Sequence, residues 1–481
     1  MTKIKSNSLK HPSALFWLAS IYSLFMWAFA TLLAFVTLYF INNFHISQSK
    51  AYDLFAAYSA LTWTLPLIGG FLADRLGLKL SAGLGLLICC LGSGLMMGHS
   101  YHMALVGLAA FVTGNALFTP AAWCLVDYAY PKSDSRRESG FTLFYLTFNL
   151  GGVLGIFIGG YLQTSFSYHF EFLMNTLFLF LSFILFILKA KNLKLDSSRS
   201  IQPNWKLPLS LRFLGLIFSI ILGVPLILFL FVHTLFANNL LTFMTFFAAI
   251  SLIYIALKQK DVLARMKVFG FLILCIFSIA FWALYSLEPS LVSVFIDHSV
   301  NKNILGINIS ASSIFGFEGL FIVLIGLLMS KLWTNLAKRE VDIALSIKFS
   351  IALVLIGLGY LYLRMIMEIN GYANFISLSW VILAYVFFAT GELFIGPLGI
   401  AMVGRLSPHG SEGYFMGVLQ LFIGFSAVIT GYLANFATLP EKISFAGANT
   451  IFGNLFLEVA FGTICFGVIL LLLTPLLKKL V

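Results

Sequence analysis

Gly69-Gly70-Phe71-Leu72-Ala73-Asp74-Arg75-Leu76-Gly77-Leu78-Lys79 is a short charged turn set between two long apolar runs. Glycines at positions 69, 70 and 77 let helix ends approach closely, because no side chain holds them apart. Asp74 suits a helix N-terminus or a basic partner across a bundle. The flanking runs, residues 51–72 and 80–98, each approach the roughly 20 apolar residues that cross about 30 Å of hydrocarbon. The stretch therefore reads as a turn at a membrane face.

The pattern continues outward in both directions. Fourteen spans are expected: 14–41, 51–72, 80–98, 102–128, 140–162 and 168–188, then 211–235 and 239–257, then 268–296, 316–337, 344–363, 375–400, 411–437 and 453–477. They group as six, two and six. The expected organisation is a six-helix bundle over 1–188, a polar cytoplasmic linker over 189–210, an inserted helix pair over 211–257 and a second six-helix bundle over 258–481. The first run is too long for the apolar region of a signal peptide, so it is expected to remain as a spanning helix.

Composition agrees with this reading. The chain has 481 residues, of which 60% are hydrophobic and only 10% charged, whereas a soluble surface needs about a quarter of its residues charged. A soluble multidomain protein, a collagen and a disordered tail are excluded. Five cysteines (Cys89, Cys90, Cys124, Cys275 and Cys465) all lie inside apolar runs without paired metal spacing, which excludes a disulfide scaffold and suggests small core residues. The net charge of +11 forms no nucleic-acid-binding stripe. Twenty-five of the 29 Lys and Arg residues fall on the side shared by both termini, leaving only Lys50, Lys302, Arg364 and Lys442 on the other. The bias predicts cytoplasmic termini in a cell (inner) membrane.

Two six-helix bundles joined by a cytoplasmic segment is the plan of secondary transporters that rock about a midplane site. Composition alone also allows a channel or a membrane enzyme. No nucleophile elbow, phosphate loop or His/Cys metal spacing occurs, so an enzyme, a cofactor and a bound metal are not expected.

Residues 69–79 resemble the cytoplasmic-loop signature of the major facilitator superfamily, although the corresponding segment of the second half, Ser330 to Glu340, matches poorly. Ser133-Asp134-Ser135-Arg136-Arg137 leads into Gly140-Phe141-Thr142-Leu143-Phe144-Tyr145-Leu146-Thr147-Phe148-Asn149-Leu150-Gly151. That stretch is similar to the Phe-Tyr-x-x-x-Asn-x-Gly signature of the proton-dependent oligopeptide transporters. Phe281-Trp282-Ala283-Leu284-Tyr285 resembles the start of that family's seventh helix, and Gly391-Glu392-Leu393-Phe394-Ile395-Gly396-Pro397-Leu398-Gly399 its tenth. The extra helix pair also fits bacterial members, and the similarity covers nearly the whole chain. The resemblance implies an all-α integral membrane protein of the major facilitator fold, with alternating access and a cytoplasmic gate at Gly70, Asp74, Arg75 and Gly77.

Departures from the family are concentrated at its charged positions. The Glu-x-x-Glu-Arg cluster of the family's first helix corresponds here to Tyr22, Phe25 and Met26, and a downstream arginine to Leu33. The fourth-helix lysine corresponds to Thr119 ahead of Pro120-Ala121, and the seventh-helix glutamate to Ser286. A second-helix tyrosine corresponds to Trp63, and an eleventh-helix tryptophan to Leu419. The acid that receives the peptide amine is retained as Glu392. A free peptide carboxylate is expensive to desolvate unpaired, and the resemblance leaves it without its usual cations.

Carboxylates inside spans cost about 2.5–3.5 kcal/mol each on insertion scales and are functional candidates by default. Glu392, Glu288 and Glu318 are the candidates for proton coupling. Glu318 aligns with a substrate-contacting asparagine of the family. Glu288 lies two residues beyond the lost Ser286 position, about 200° around a helix, so it substitutes only if the helix is broken there. Its alternative reading is an interfacial carboxylate facing water. Asn149 and Tyr145 share one face of a helix at i, i+4, and with Glu392, Glu318, Trp282, Trp63 and Asn115 they complete the expected substrate-binding set. Asp127 is read as a gate or surface residue, His233 as structural, and Gly92-x-Gly94 as a helix-packing site.

The expected partners are a small peptide-like or amine-bearing solute, protons and the bilayer, for a protein that acts as a monomer. The alternatives are an uncoupled uniporter or exporter of a non-peptide metabolite, and a non-transporting receptor or scaffold with a transporter fold.

Overall fold

The computed structural model describes residues 11–130, 137–190, 208–304, 307–339, 343–408 and 411–480. Residues 133–136 of the expected signature and 191–207 of the expected linker lie outside the described residues. Almost everything described is helical, as hydrocarbon demands: with no water to accept backbone hydrogen bonds, each spanning segment satisfies its own. The helices are α1 (Ser13–Phe44), α2 (Gln48–Leu76), α3 (Leu78–Met96), α4 (Tyr101–Tyr128), α5 (Arg137–Ser165), α6 (Tyr168–Ala190), α7 (Leu209–Val232) and α8 (Thr234–Lys258). They continue as α9 (Val262–Tyr285), α10 (Ser293–Ser299), α11 (Gly316–Lys338), α12 (Leu345–Asn370), α13 (Leu378–Leu406), α14 (Glu412–Asn435) and α15 (Phe445–Leu480).

Among the described residues fourteen segments are long and apolar enough to cross a membrane, α9 and α10 together forming one of them over Val262–Ser299. Each expected span coincides with one of these. Boundaries differ most at the ends of α12 and α15, which extend to Asn370 and begin at Phe445. The segment from Ser330 that compares poorly with the first-half loop is still helical to Lys338. Large apolar side chains such as Phe218, Ile221, Phe243 and Phe247 on α7 and α8 are exposed, which suits a lipid-facing surface.

The chain divides into two compact units. The first comprises the described residues within Met1–Ala30, Leu65–Gly155 and Phe172–Leu226. Its tightest interface joins α3 and α4, where a Cβ on Gly92 would lie 2.6 Å from the Gly107 carbonyl oxygen. Only glycine permits that approach, which bears out the small-residue packing site read from Gly92. On α6, the Ser182 hydroxyl donates to the Ile21 carbonyl of α1 at 2.8 Å. The charged turn is closed by Gly77, whose φ of 117° precedes the start of α3. Lys79 Nζ then donates to the Ala190 carbonyl at the end of α6, 2.6 Å away.

The second unit comprises the described residues within Thr31–Thr64, Ile156–Glu171 and Ile227–Val481. At its centre, Tyr360 of α12 packs against Phe388 of α13 (ring centroids 5.0 Å apart) and Phe456 of α15 (5.7 Å). The Ser350 hydroxyl of α12 donates to the Gly467 carbonyl of α15 at 2.6 Å. Asn435 of α14 donates to Asp53 of α2 at 2.8 Å, and the Leu439 N–H donates to Gln48 Oε1 at 3.0 Å. Ser310 donates to Gln163 Oε1 of α5 at 2.7 Å, just before a 3-10 turn over Ala311–Phe315. Four two-residue strands complete this unit: β1 (Val300–Asn301) pairs in parallel with β4 (Ile376–Ser377), and β2 (Asn303–Ile304) pairs antiparallel with β3 (Ile307–Asn308).

Four of the five cysteines are buried or half-buried; Cys465 is exposed, so the core reading does not extend to it. Its apolar character serves a lipid-facing side chain equally well.

Candidate functional site

The site in the second unit begins with a broken helix. Pro289 has no N–H to donate and disfavours the helical conformation of the residue before it. Accordingly α9 stops at Tyr285, a π turn runs over Glu288–Val292, and α10 resumes the span at Ser293. The Val292 N–H donates to the Leu287 carbonyl at 2.9 Å, and the Ser290 hydroxyl donates to the Ser286 carbonyl at 2.8 Å. Carbonyls before the break are satisfied by neighbouring helices. Tyr360 of α12 donates to Leu284 O at 2.6 Å, and Thr430 of α14 donates to Ala283 O at 2.8 Å. The break is thus built in.

Its consequence is the position of Glu288. Glu288 opens the π turn and is completely buried, at 0% exposure. The alternative of an interfacial carboxylate in water is thereby overturned. Both of its carboxyl oxygens lack a hydrogen-bond partner among the described residues, and its acidic neighbours are Glu318 and Glu392.

Glu318 lies in the first turn of α11, directly after the 3-10 turn, and is 1% exposed. The positive end of the helix dipole favours a carboxylate there. Glu392 sits midway along the 29-residue α13 and is half-buried. Gly391 lets that helix pack closely, since a Cβ there would meet Ala352 O of α12 and the Phe281 ring of α9 at 3.2 Å. The Tyr285 hydroxyl, from the last residue of α9, donates to Glu392 Oε2 at 3.2 Å. Trp282 stands edge-on to Tyr285, with ring centroids 5.2 Å apart. The three candidate glutamates and Trp282 therefore converge in one neighbourhood, with Tyr360 and Tyr385 also acting on Glu288 and Glu318.

Other candidates lie elsewhere. In the first unit, Asn149 Nδ2 donates to the Tyr145 backbone carbonyl at 2.8 Å, and the exposed Tyr145 ring stands against Phe148 at 4.9 Å. Asn115 is buried in α4 and accepts from the Thr119 hydroxyl at 2.7 Å. Trp63 of α2 belongs to the second unit and is exposed. At the charged turn, Asp74 and Arg75 are exposed, and the Arg75 guanidinium lies 3.7 Å over the Phe71 ring. Gly70 approaches Pro120 of α4, where a Cβ would stand 3.4 Å from the Pro120 Cβ. His233 is the residue before α8 and packs at a tilt against Phe229 with centroids 4.4 Å apart. Among the described residues no group of His, Cys, Asp or Glu is arranged to hold a metal ion.

Tyr22 and Phe25 form the middle of an aromatic cluster in the first unit. Tyr22 contacts Phe118 at 5.5 Å and Phe144 at 5.0 Å between centroids, Phe25 contacts Phe118 at 4.6 Å, and Trp123 Nε1 donates to the Tyr22 hydroxyl at 3.1 Å.

Sequence reasoning missed Glu171, which is 1% exposed and acts on Tyr39 and Tyr168 in the second unit. The signal was present: it is an acid inside an apolar segment, overlooked because it lies in the first turn of α6. Tyr285 closes the Phe281–Tyr285 motif, and nothing in its local sequence announces a carboxyl partner on α13.

Solved transporters share this architecture. A peptide transporter of the POT group crystallised with sulfate superimposes with a TM-score of 0.84, at 22% identity over 98% of this chain and 96% of that one. A POT family transporter in complex with 5-aminolevulinic acid gives 0.83 and 23% identity, with 97% of each chain covered. The protein is a multi-pass membrane transporter of the major facilitator fold and not an enzyme. The sequence profile of the POT family matches residues 78–451, and the chain belongs to that family. Similar relatives include dipeptide and tripeptide permease A of Cronobacter turicensis, 26% identical with 99% of this chain and 95% of the relative covered. Dipeptide and tripeptide permease B of Photorhabdus asymbiotica is also 26% identical, with coverage of 92% and 91%.

Proposed function

We propose that this chain is a secondary transporter that carries a peptide-like, amine-bearing solute by alternating access, coupled to protons through Glu288, Glu318 and Glu392. The carrying observation is that these three carboxyl groups neighbour one another around the π turn over Glu288–Val292, with Tyr285 donating to Glu392. Peptide specificity is supported by the names of the permeases that the chain resembles along nearly its full length. A solute amine is attracted by the unneutralised acids and hydrogen-bonds to Glu392. Trp282, edge-on to Tyr285, completes the proposed binding set of the second unit.

The chemistry of the carboxyl end differs from the family pattern. Tyr22 and Phe25 occupy the positions of the family's acidic cluster, and Leu33 and Thr119 those of its cations. Aromatic packing around Tyr22 has taken the place that ionic partners would need. A solute whose carboxylate is capped or missing avoids the cost of burying an unpaired anion. The further proposals are cytoplasmic termini in the inner membrane, action as a monomer, a gate at Gly70, Asp74, Arg75 and Gly77, and a six, two, six domain plan joined by the 189–210 linker.

A thermal-shift comparison of purified protein with dialanine and dialanine amide tests the substrate reading. Binding to the folded state raises apparent stability by mass action, and the amide is expected to give the larger shift. Stabilisation by free dialanine alone overturns the argument from missing cations.

A further inference from the structure

The inserted helix pair takes no part in the acid cluster, yet its two arms are held in different places. The first arm is seated on first-half helices through glycine. A Cβ on Gly215 would stand 3.2 Å from Leu76 Cδ2 of α2, and one on Gly223 would stand 3.1 Å from Thr113 Cγ2 of α4. Both contacts lie inside the first unit. The second arm, α8, packs against α9 and α14 of the second half, with Ser251 hydrogen-bonded with the Tyr414 hydroxyl of α14. Its buried residues Ala237, Leu241, Thr245, Ala248, Leu252 and Ala256 recur at three and four positions, the spacing of one docked helix face. These contacts lie inside the second unit, which the chain enters between Leu226 and Ile227.

That crossing falls within α7, directly after Pro225-Leu226, and not at the turn between the two helices. Pro225 has no N–H for the Ile221 carbonyl and its ring crowds that oxygen, so the helix is loosened where its surroundings change. The turn is stiffer. His233 alone separates α7 from α8; its N–H donates to the Phe229 carbonyl at 2.9 Å, and its own carbonyl accepts from the Ala237 N–H at 3.0 Å. Phe229 packs against His233 and Phe236, with centroids 4.4 and 5.8 Å apart. From Ile227 onward, the end of α7 and the whole of α8 therefore form one piece.

We propose that the inserted pair is a strap between the two halves of the transporter, hinged inside α7 at Val224–Leu226. As the halves rock, the arm from Leu209 to Gly223 stays on α2 and α4, and the arm from Ile227 through α8 stays on α9 and α14. The residues between them absorb the change in φ and ψ, as hinge residues do. The strap limits how far the halves separate, because neither arm leaves its seat without losing the contacts that hold it. Its role as a strap rests on the alternating-access reading, whereas the hinge is tested without transport.

Double electron–electron resonance on the full-length protein in lipid nanodiscs, with its five cysteines replaced by alanine, reads the arms through spin labels at exposed positions. Leu214→Cys with Leu91→Cys follows the first arm against the first half. Phe247→Cys with Ile276→Cys follows the second arm against the second half, and Leu214→Cys with Phe247→Cys follows one arm against the other. At rest, the arm-to-arm distance distribution is expected to be the broadest of the three, and Pro225→Ala is expected to narrow it to the width of the other two. Pro225→Leu is the second variant should the alanine form misfold. An arm-to-arm distribution as narrow as the others, or one that both Pro225 variants leave unchanged, overturns the hinge. A fourth pair, Leu91→Cys with Ile276→Cys, follows the halves themselves as dialanine amide is added. When this distance shifts, the arm-to-arm distance is expected to shift with it while each arm stays fixed on its own half; movement of an arm against its own half overturns the strap. A half-to-half distance that never shifts counts against alternating access and the strap together, and the widths at rest still decide the hinge.

Discussion

Glu392 is the one acid of the cluster that is both half-buried and held by a tyrosine hydroxyl, and it is the position proposed to meet a solute amine. Removing its charge costs a hydrogen bond to a charged group, about 1.5–3 kcal/mol. Glu392→Gln is therefore expected to weaken binding of dialanine amide roughly 10- to 100-fold, as read by calorimetry in detergent; unchanged affinity refutes its role. Glu288 behaves differently, because its two buried oxygens lack hydrogen bonds among the described residues. Replacing it with an apolar side chain of similar size, Glu288→Leu, is expected to raise unfolding stability by about 1–3 kcal/mol while lowering pH-driven uptake. A loss of stability overturns the reading of Glu288 as an unsatisfied buried carboxyl. The placement of Glu288 is only half legible in the sequence. Glu288 and Pro289 are adjacent and suggest a break, but whether the break turns the acid toward α11 and α13 depends on residues far along the chain.

At the scale of elements, two irregularities do most of the positioning. One is the π turn over Glu288–Val292, which follows from proline's missing donor. Pro289→Ala restores that donor and is expected to favour a continuous helix, reducing proton-driven uptake several-fold without lowering thermal stability. Wild-type uptake by this variant would show that the break is not needed. The other is the glycine contact between α3 and α4, with Gly92 against Gly107. Gly92→Val forces the helices apart and is expected to destabilise the protein by about 1–3 kcal/mol, measured as a lowered midpoint of thermal unfolding. The spans themselves were readable because lipid imposes a length and a polarity on every crossing segment. The Gly92 contact was readable as a type of packing, but its partner was not. Gly107 lies on the next helix, and only the packed pair identifies it.

For the molecule as a whole, the distribution of Lys and Arg predicts orientation. In intact cells, a membrane-impermeant maleimide is expected to label Lys302→Cys and to leave Lys79→Cys unlabelled until the cells are opened; the reverse pattern overturns the assignment. The amino-acid sequence alone determined that this chain lives in a bilayer, that it crosses about fourteen times, and that its family is that of the peptide transporters. It could do so because those properties are local: runs of apolar residues, charged turns and short motifs carry them. Tertiary structure alone decided which polar residues work together. Tyr285 and Glu392 are 107 positions apart, and their hydrogen bond exists because α9 ends where α13 passes. Hydrophobic patterning specifies that a helix is buried in the membrane, but side-chain convergence across helices is a product of their packing.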